Sequence, residues 1–203
     1  AACVPVDLVV MGIVGFAALG PCLAAVRYAD AVALANKECL VVSGAMLTET
    51  AARHATQLLP VDSEHNGVFQ LLDGRHGDTP SKIVLTASGG PFRDMSLDDM
   101  AQVTPDMAIA HPNWAMGAKI SVDSATMMNK GLEVIEAAWM FDLGPAQIDV
   151  LIHPQVAVHG LVYFNDGSVI GQLGTADMKT PISVALAWPD RLDWKPEPLD
   201  LLS

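Results

Sequence analysis

The pattern of apolar and polar positions differs between the two halves of the chain. Strands alternate with helices in the first half, and a helix is followed by a group of strands in the second. In the first half, short apolar runs at 31–34, 58–61 and 82–86 predict buried strands. Helices are predicted between them, over 39–57 and from about 64 to 69. Residues 8–28 are predicted to form a helix or a helix pair, broken near Gly20-Pro21. This order indicates an α/β sheet, in which ligands bind at the carboxyl ends of the strands.

The second half is expected to be α+β. Leu132, Ile135, Ala138 and Trp139 recur at helical spacing, which predicts a packed helix from about residue 125 onward. Three strands are predicted further on, over 150–152, 158–164 and 168–173. The last two are expected to be joined by a hairpin turn at 165–167. A polar segment at 73–80 is expected to be a surface loop.

The composition bounds the class of protein. With 51% hydrophobic and 17% charged residues among 203, the chain is expected to be a well-buried globular protein rather than a disordered one. Its formal net charge of −12 argues against nucleic acid or an anionic membrane as a partner. A site for an anionic ligand must then be built locally, from a few cations, a metal ion or backbone N–H groups.

Two features bear on the cellular compartment. The apolar stretch 8–26 lacks a basic leading segment and is interrupted by glycine and proline, so we expect neither a signal peptide nor a membrane span. The cysteines lack CxxC or Cys/His spacing, and we expect reduced thiols in the cytoplasm; they are Cys3, Cys22 and Cys39. Because the chain starts in mid-pattern without a methionine, we expect it to be a piece of a longer protein.

Three acidic residues form the first candidate site. Asp62 and Glu64 are two residues apart, so at an extended strand end both carboxylates would point the same way. Like charges held this close repel one another unless a cation lies between them. With Glu133 as a third carboxylate, they would form an all-oxygen site suited to Mg²⁺ or Mn²⁺. The alternative is a pair of exposed acids on a loop.

Residues of two segments form a candidate anion site. Asn129, Lys130 and Glu133 lie within one helical turn, at the start of an apolar helix, where anions are expected to bind. A solvated lysine–glutamate pair is the alternative. The turn Ala87-Ser88-Gly89-Gly90-Pro91 follows a predicted strand and could present N–H groups and a hydroxyl to a phosphate, although glycine-rich turns are common.

The remaining candidates each have a structural alternative. Lys37 follows a short strand and is either a substrate cation or a helix-start residue. The loop 111–117 carries Trp114 and Met116, which could fold over a ligand and exclude water or could pack on the core. His153 and His159 lie on either side of Pro154-Gln155, near a predicted strand, where core packing is the expected role.

Six ordered motifs together resemble the 1-deoxy-D-xylulose 5-phosphate reductoisomerase family. They are LANKECLV (34–41), LLPVDSEHNGVFQ (58–70), LTASGGPFRD (85–94), HPNWAMGAKISVDSATMMNKGLEVIEAAW (111–139), IHPQVAVH (152–159) and DGSVIGQLGTADMKTPI (166–182). The motifs are long and span most of the chain. The resemblance implies an α/β fold, namely the end of a Rossmann-like cofactor domain (1–60), an α+β catalytic domain with a mixed sheet (61–190) and a linker (191–203).

The resemblance also implies roles for individual residues. The implied ligands of a divalent metal are Asp62, Glu64 and Glu133. The implied phosphate-binding residues are Ser88, Ser124, Asn129 and Lys130, and Ser63 and Lys37 match positions near the substrate's metal-chelating oxygens. A mobile loop that closes over substrate is implied for His111, Trp114 and Met116. Catalytic roles are implied for Lys37, Glu64 and His159, and NADPH contacts for Asn36, Lys37, Glu38 and Gly117.

The implied activity is an oxidoreductase and isomerase reaction of isoprenoid biosynthesis by the non-mevalonate pathway. In the family, 1-deoxy-D-xylulose 5-phosphate is rearranged by retro-aldol and aldol steps and reduced by NADPH to 2-C-methyl-D-erythritol 4-phosphate. The metal would be Mg²⁺ or Mn²⁺, with Co²⁺ as a further candidate. A cytoplasmic homodimer is implied as well.

The chain departs from the family pattern in several places. It lacks the glycine-rich dinucleotide turn and the C-terminal helical domain, so we expect metal and phosphate binding with weak or absent NADPH-dependent turnover. Cys39 replaces the usual serine, and Val156 replaces the serine of HPQS. Two other functions stay open, a non-catalytic metal- and phosphate-binding fragment and a stand-alone metal-dependent sugar-phosphate aldolase.

Overall fold

Two β-sheets and the helices between them make up the fold. The computed structural model describes residues 4–72, 79–109 and 117–201. The strands are β1 Val6–Met11, β2 Ala29–Leu34, β3 Gln57–Pro60, β4 Lys82–Ala87, β5 Ile148–Ile152, β6 Val158–Tyr163 and β7 Val169–Leu173. The helices are α1 Leu19–Ala25, α2 Glu38–His54, α3 Ser63–Leu72, α4 Leu97–Met100, α5 Pro105–Ile109, α6 Ala118–Ala125, α7 Met128–Phe141 and α8 Lys179–Ala187.

The first sheet is parallel, with the strand order β1-β2-β3. Helices α1 and α2 make the crossovers that parallel strands require. The prediction of a helix over 8–28 is wrong for its first part, because Val6–Met11 pairs with β2 as a strand. A short apolar run cannot be assigned by periodicity alone, and the pairing with β2 decides it here. Pro21 lies in the first turn of α1, where its missing N–H costs nothing, so it does not break the helix.

The second sheet is mixed, as expected, with the order β5-β4-β6-β7. β4 runs parallel to β5 and antiparallel to β6, and β6 runs antiparallel to β7. The predicted hairpin turn between β6 and β7 is confirmed. Phe164 N donates to Ser168 O over 3.0 Å, and Gly167 has a φ of +88° that favours glycine.

Helices α2 and α7 join the two halves of the molecule. Leu40 and Leu47 of α2 are fully buried in the core of the first sheet, and Met140 of α7 packs against that core. Ala137 of α7 is buried in the core of the second sheet. The closest approach is at Gly44, where a Cβ atom would lie 2.3 Å from ring atoms of Trp139. Glycine therefore permits α2 and α7 to pack this closely.

The predicted helix from about residue 125 begins later, at Met128. Met127 has a left-handed φ of +61°, and this residue separates α6 from α7. Sequence reasoning did not predict α6. Among the described residues, no helix is both long and apolar enough to span a membrane.

Candidate functional site

A cavity of about 300 Å³ lies beside the carboxyl ends of β2, β3 and β4. The polar segments 36–38, 62–64 and 87–90 were predicted to follow strands, and each does. Residues of helices α6 and α7 line the cavity as well. Nine of the predicted site residues line this cavity, namely Lys37, Asp62, Ser63, Glu64, Ser88, Ser124, Asn129, Lys130 and Glu133.

Three carboxylates meet in the lining of the cavity. Asp62 follows β3, and Ser63 begins α3, so Glu64 lies in the first helical turn rather than in the extended strand end that was predicted. Asn66 N donates to Asp62 O over 2.8 Å and so starts the helix. The carboxylates of Asp62 and Glu64 still converge with that of Glu133 from α7, since one oxygen of each lies within 4.8 Å of the others. Three partly or fully buried carboxylates form a donor set that suits a hard divalent cation.

Two lysine side chains lie among these carboxylates. Lys37 Nζ is 2.5 Å from Asp62 Oδ2, 2.7 Å from Asn129 Oδ1 and 3.2 Å from Glu133 Oε1. Lys130 Nζ is 2.6 Å from Glu64 Oε1 and also contacts Glu133 Oε2. Because Lys130 and Glu133 are buried, the alternative of a solvated lysine–glutamate pair is wrong.

The charges of the cluster shift the pKa values of its members. Burial opposes ionisation of Asp62, but the Lys37 ammonium outweighs it and holds the Asp62 pKa well below its usual range. Burial likewise opposes ionisation of Glu64, whose pKa is nevertheless lowered by Lys130. Burial, together with the Glu64 and Asp62 carboxylates, raises the pKa of Glu133 to about 7. Glu133 is therefore the carboxyl of this set that titrates near neutral pH.

The turn after β4 brings Ser88 into the same cavity as Ser124 of α6. Gly89 and Gly90 both have positive φ, +88° and +69°. A Cβ atom on Gly90 would lie 2.7 Å from the carbonyl oxygen of Ser124, so only glycine allows the turn to approach the end of α6. Gly90 N donates to Ser88 Oγ over 3.2 Å. Ser88 and Ser124 thus line the same cavity as Asn129 and Lys130.

The residues implied to contact NADPH lie at helix starts. The amide of Asn36 donates to Ile13 O and Gly15 O over 2.8 and 3.0 Å, and its Oδ1 accepts from Cys39 N, so this side chain braces the start of α2. Glu38 accepts from Lys119 over 2.5 Å. Gly117 is the N-cap residue of α6.

Three of the four implied loop and histidine positions lie outside the described residues: His111, Trp114 and Met116. His159 is buried on β6, and burial lowers its pKa. It lines a small cavity beside the main one, which it shares with Ser63. His153 accepts from Ala157 N within its own turn, at 3.1 Å. Val156 lines the main cavity with a left-handed φ of +52°, a strained conformation for a β-branched residue.

Sequence reasoning missed a buried pair behind the carboxylates. His65 Nε2 lies 2.9 Å from the carbonyl oxygen of Glu133 and 3.5 Å from Glu136 Oε2, and both side chains are almost fully buried. Burial raises the pKa of Glu136 to about 7. Donor atoms of Asp62, His65 and Glu136 also lie within 4.8 Å of one another, but His65 and Glu136 do not line the cavity. The spacing of Glu136, one turn after Glu133, was the available signal.

The two described cysteines fit the expectation of reduced thiols. Cys22 and Cys39 are buried and free, in the core that α1 and α2 form. Cys39 lies beside Lys37 and Glu38 at the start of α2, and its backbone N–H is capped by Asn36. Cys3 lies outside the described residues.

Comparisons with known proteins converge on one family. The model of the 1-deoxy-D-xylulose 5-phosphate reductoisomerase C-terminal domain matches residues 58–141, and that of 1-deoxy-D-xylulose 5-phosphate reductoisomerase matches residues 1–44. The chain is 55% identical over 203 residues to such an enzyme from Pseudomonas aeruginosa (strain UCBPP-PA14), covering 98% of the chain and 51% of that protein. It is 57% identical over 198 residues to such an enzyme from Rhodospirillum centenum, covering 98% of the chain and 49% of that protein.

Solved structures agree with the sequence comparisons. A DOX-P reductoisomerase in complex with NADPH, fosmidomycin and magnesium superposes with a TM-score of 0.92 at 48% identity, over 98% of this chain and 52% of that one. The Zymomonas mobilis enzyme in complex with NADPH superposes with a TM-score of 0.90 at 48% identity. The match covers 98% of this chain and 51% of that one. The chain therefore spans about half the length of the relatives it matches.

Proposed function

The chain belongs to the 1-deoxy-D-xylulose 5-phosphate reductoisomerase family, and we propose that its cavity is the metal- and phosphate-binding centre of such an enzyme. The proposed reaction converts 1-deoxy-D-xylulose 5-phosphate to 2-C-methyl-D-erythritol 4-phosphate, by retro-aldol and aldol steps followed by reduction with NADPH. One observation carries the proposal. Three carboxylates, two lysines, three serines and an asparagine from five segments of the chain line one cavity of about 300 Å³.

Asp62, Glu64 and Glu133 would hold the metal in this proposal. Their oxygens converge within 4.8 Å, and oxygen-only donors favour Mg²⁺ or Mn²⁺ over thiolate-preferring metals. When bound there, the cation supplies Lewis-acid polarisation of the substrate's C2 carbonyl and C3 hydroxyl oxygens. A magnesium ion in the related solved structure supports this assignment.

The other cavity residues would bind the substrate and compensate its charge. Ser88, Ser124 and Asn129 would donate hydrogen bonds to the phosphate, and Lys130 would supply its counter-charge. Lys37 and Ser63 lie beside the carboxylates, where the ammonium can stabilise negative charge that develops on the substrate oxygens.

Further parts of the proposal rest on the family resemblance. His111, Trp114 and Met116 would close over the substrate and exclude water, and His159 would act near the reacting centre. Asn36, Lys37, Glu38 and Gly117 would contact NADPH. We also propose a cytoplasmic homodimer, with Mn²⁺ as an alternative metal.

Calorimetry tests the proposed site directly. We would titrate Mn²⁺ into the 203-residue chain, with and without 1-deoxy-D-xylulose 5-phosphate. The expected result is one binding site whose affinity rises with substrate, because metal and substrate share the cavity. Asp149→Asn is the matched control, since Asp149 is an exposed carboxylate paired with Lys82. The proposal would be refuted if the chain bound no Mn²⁺, or if the substrate left its affinity for Mn²⁺ unchanged.

A second measurement separates the alternatives. Consumption of NADPH on mixing with substrate and metal would indicate the complete reaction. Release of glycolaldehyde phosphate without NADPH would indicate an aldolase instead. Metal and substrate binding without either product would indicate a binding fragment.

A further inference from the structure

We propose that Lys37 and Lys130 are exchangeable counter-ions of the carboxylate cluster. Their ammonium groups give way when a divalent cation binds, and the released Lys130 then binds the ligand's phosphate. This inference rests on the proposed metal site. It adds that the metal binds before the phosphate and that the bound metal strengthens phosphate binding. Metal binding would switch the cavity from a state that repels anions to one that attracts them.

The contacts of the two ammonium groups carry the argument. Each ammonium bridges two carboxylates, Lys37 between Asp62 and Glu133 and Lys130 between Glu64 and Glu133. The two oxygens of Glu133 are divided between them, Oε1 to Lys37 and Oε2 to Lys130. The lysines therefore contact the same carboxylates that would hold a metal ion.

Geometry makes the lysines and a metal ion competitors. A Mg²⁺ ion needs ligand oxygens at about 2.0–2.1 Å. An ammonium nitrogen at 2.5 or 2.6 Å from those oxygens fills the same space between the carboxylates. It also repels the ion, because few water molecules can screen charges in a buried site. Both ammonium groups must therefore move for the ion to bind all three carboxylates.

Lys130 has a place to move to. Its side chain lines the cavity together with Ser88, Ser124 and Asn129, the proposed phosphate-binding residues. With Glu133 ionised, the cluster carries three negative and two positive charges. A divalent cation reverses the sign of that balance, in a chain whose net charge is −12. The local positive charge that a phosphate requires thus appears only when the metal is bound.

The opposite possibility makes a different prediction. If the lysines only hold the carboxylates in position for the metal, removal of a lysine would disorder the ligands and weaken metal binding. If the lysines compete with the metal, removal of one would tighten metal binding. The sign of the change in affinity therefore separates the two.

Calorimetry on Lys130→Met provides the first test. Methionine keeps an unbranched side chain of similar length without the charge. We expect Mn²⁺ to bind this variant at least about tenfold more tightly than wild type, a coupling in the range that linked sites show. Lys82→Met, which removes a half-buried lysine from β4, should bind like wild type. An unchanged or weaker affinity in folded Lys130→Met would overturn the exchange.

Chemical labelling provides a second test, which needs only the wild-type chain. Acetic anhydride modifies accessible amines, and mass spectrometry reports each lysine separately. We expect acetylation of Lys37 and Lys130 to rise several-fold when Mn²⁺ is added, whereas Lys82 should react equally in both conditions. Equal labelling of the two site lysines with and without bound Mn²⁺ would overturn the exchange even if Lys130→Met does not fold.

The outcomes also distinguish this inference from the proposed function. A wild-type chain that binds no Mn²⁺ overturns the metal site, and the exchange with it. A wild-type chain that binds Mn²⁺ while Lys130→Met binds it no better overturns the exchange alone. The metal and phosphate sites would then stand as independent parts of the cavity.

Discussion

Substitution of Gly44 by alanine tests the packing that joins the two halves of the molecule. Gly44 lies in α2 against the indole ring of Trp139 in α7. A Cβ atom would lie 2.3 Å from three ring atoms, although carbon atoms prefer separations of about 3.5–4.0 Å. The ring or one helix must therefore retreat by about 1.2 Å or more to reach that range.

Two opposing effects set the size of the change. Alanine is favoured over glycine in a helix by about 1 kcal/mol. Overpacking of a tight contact costs about 1–3 kcal/mol, and a displaced indole ring loses buried area worth about 25 cal/mol per Å². Trp139 is 42% exposed, so the ring can move but loses burial when it does. We expect a net loss of about 1–3 kcal/mol in the free energy of unfolding.

Urea denaturation followed by circular dichroism measures this loss. The control is Gly20→Ala in α1, where no heavy atom of the described residues lies within 4 Å of the added Cβ. The control should be as stable as wild type or slightly more so. For a chain of this length, the Gly44→Ala loss corresponds to about 2–4 °C in Tm per kcal/mol. If both variants were equally stable, the account of the α2–α7 packing would be refuted.

Three further predictions concern the site. Glu133→Gln should weaken Mn²⁺ binding in calorimetry, because one of three charged ligands is lost. We expect a rise in Kd of about 100-fold, which corresponds to about 2.7 kcal/mol of binding free energy. An unchanged affinity would exclude Glu133 as a ligand. Gly90→Ala should destabilise the chain by more than Gly167→Ala in urea denaturation. Both residues have positive φ, but only Gly90 would place its Cβ against Ser124 O, at 2.7 Å. Burial lowers the pKa of His159, so the unfolded chain takes up this proton at higher pH than the folded chain. This contribution of His159 to stability is lost as pH drops below about 6.5. The urea midpoint of His159→Gln should therefore rise relative to that of wild type between pH 7.5 and 5.5; an unchanged difference between the two midpoints would contradict this reasoning.

Lys37 and Asp62 were predictable neighbours, because β2 and β3 are adjacent in one parallel sheet and parallel strands align their carboxyl ends. β4 lies in the second sheet, so the position of Ser88 at the same cavity depends on how the two sheets pack, which the strand pattern does not predict. The apolar runs before Lys37, Asp62 and Ser88 identified β2, β3 and β4, and the polar residues that follow them do line one cavity. The apolar run at β1 was wrongly predicted to be helical, since only its pairing with β2 distinguishes a strand from a helix there. Local pattern cannot reveal which distant segment a short run will pair with.

Other features depend on contacts that no local pattern encodes. The break between α6 and α7 occurs at Met127, a residue without a turn-forming side chain that is nevertheless held at positive φ. The burial of Lys130 and Glu133 depends on α2 packing against α7, so spacing alone favoured a solvated pair. The pair of His65 and Glu136 was not predicted either, because their contact joins α3 to α7, which are far apart along the chain.

The ion pairs of the cavity join residues that are far apart along the chain. Lys37 contacts Asn129 and Glu133, which follow it by 92 and 96 residues, and Lys130 contacts Glu64, which precedes it by 66. Contacts between distant residues form late, because closing a long loop costs entropy before the contact stabilises it. During synthesis, Asp62 and Glu64 leave the ribosome well before α7 does. The site is therefore completed only when α7 docks, and metal binding should appear at the rate at which α7 docks.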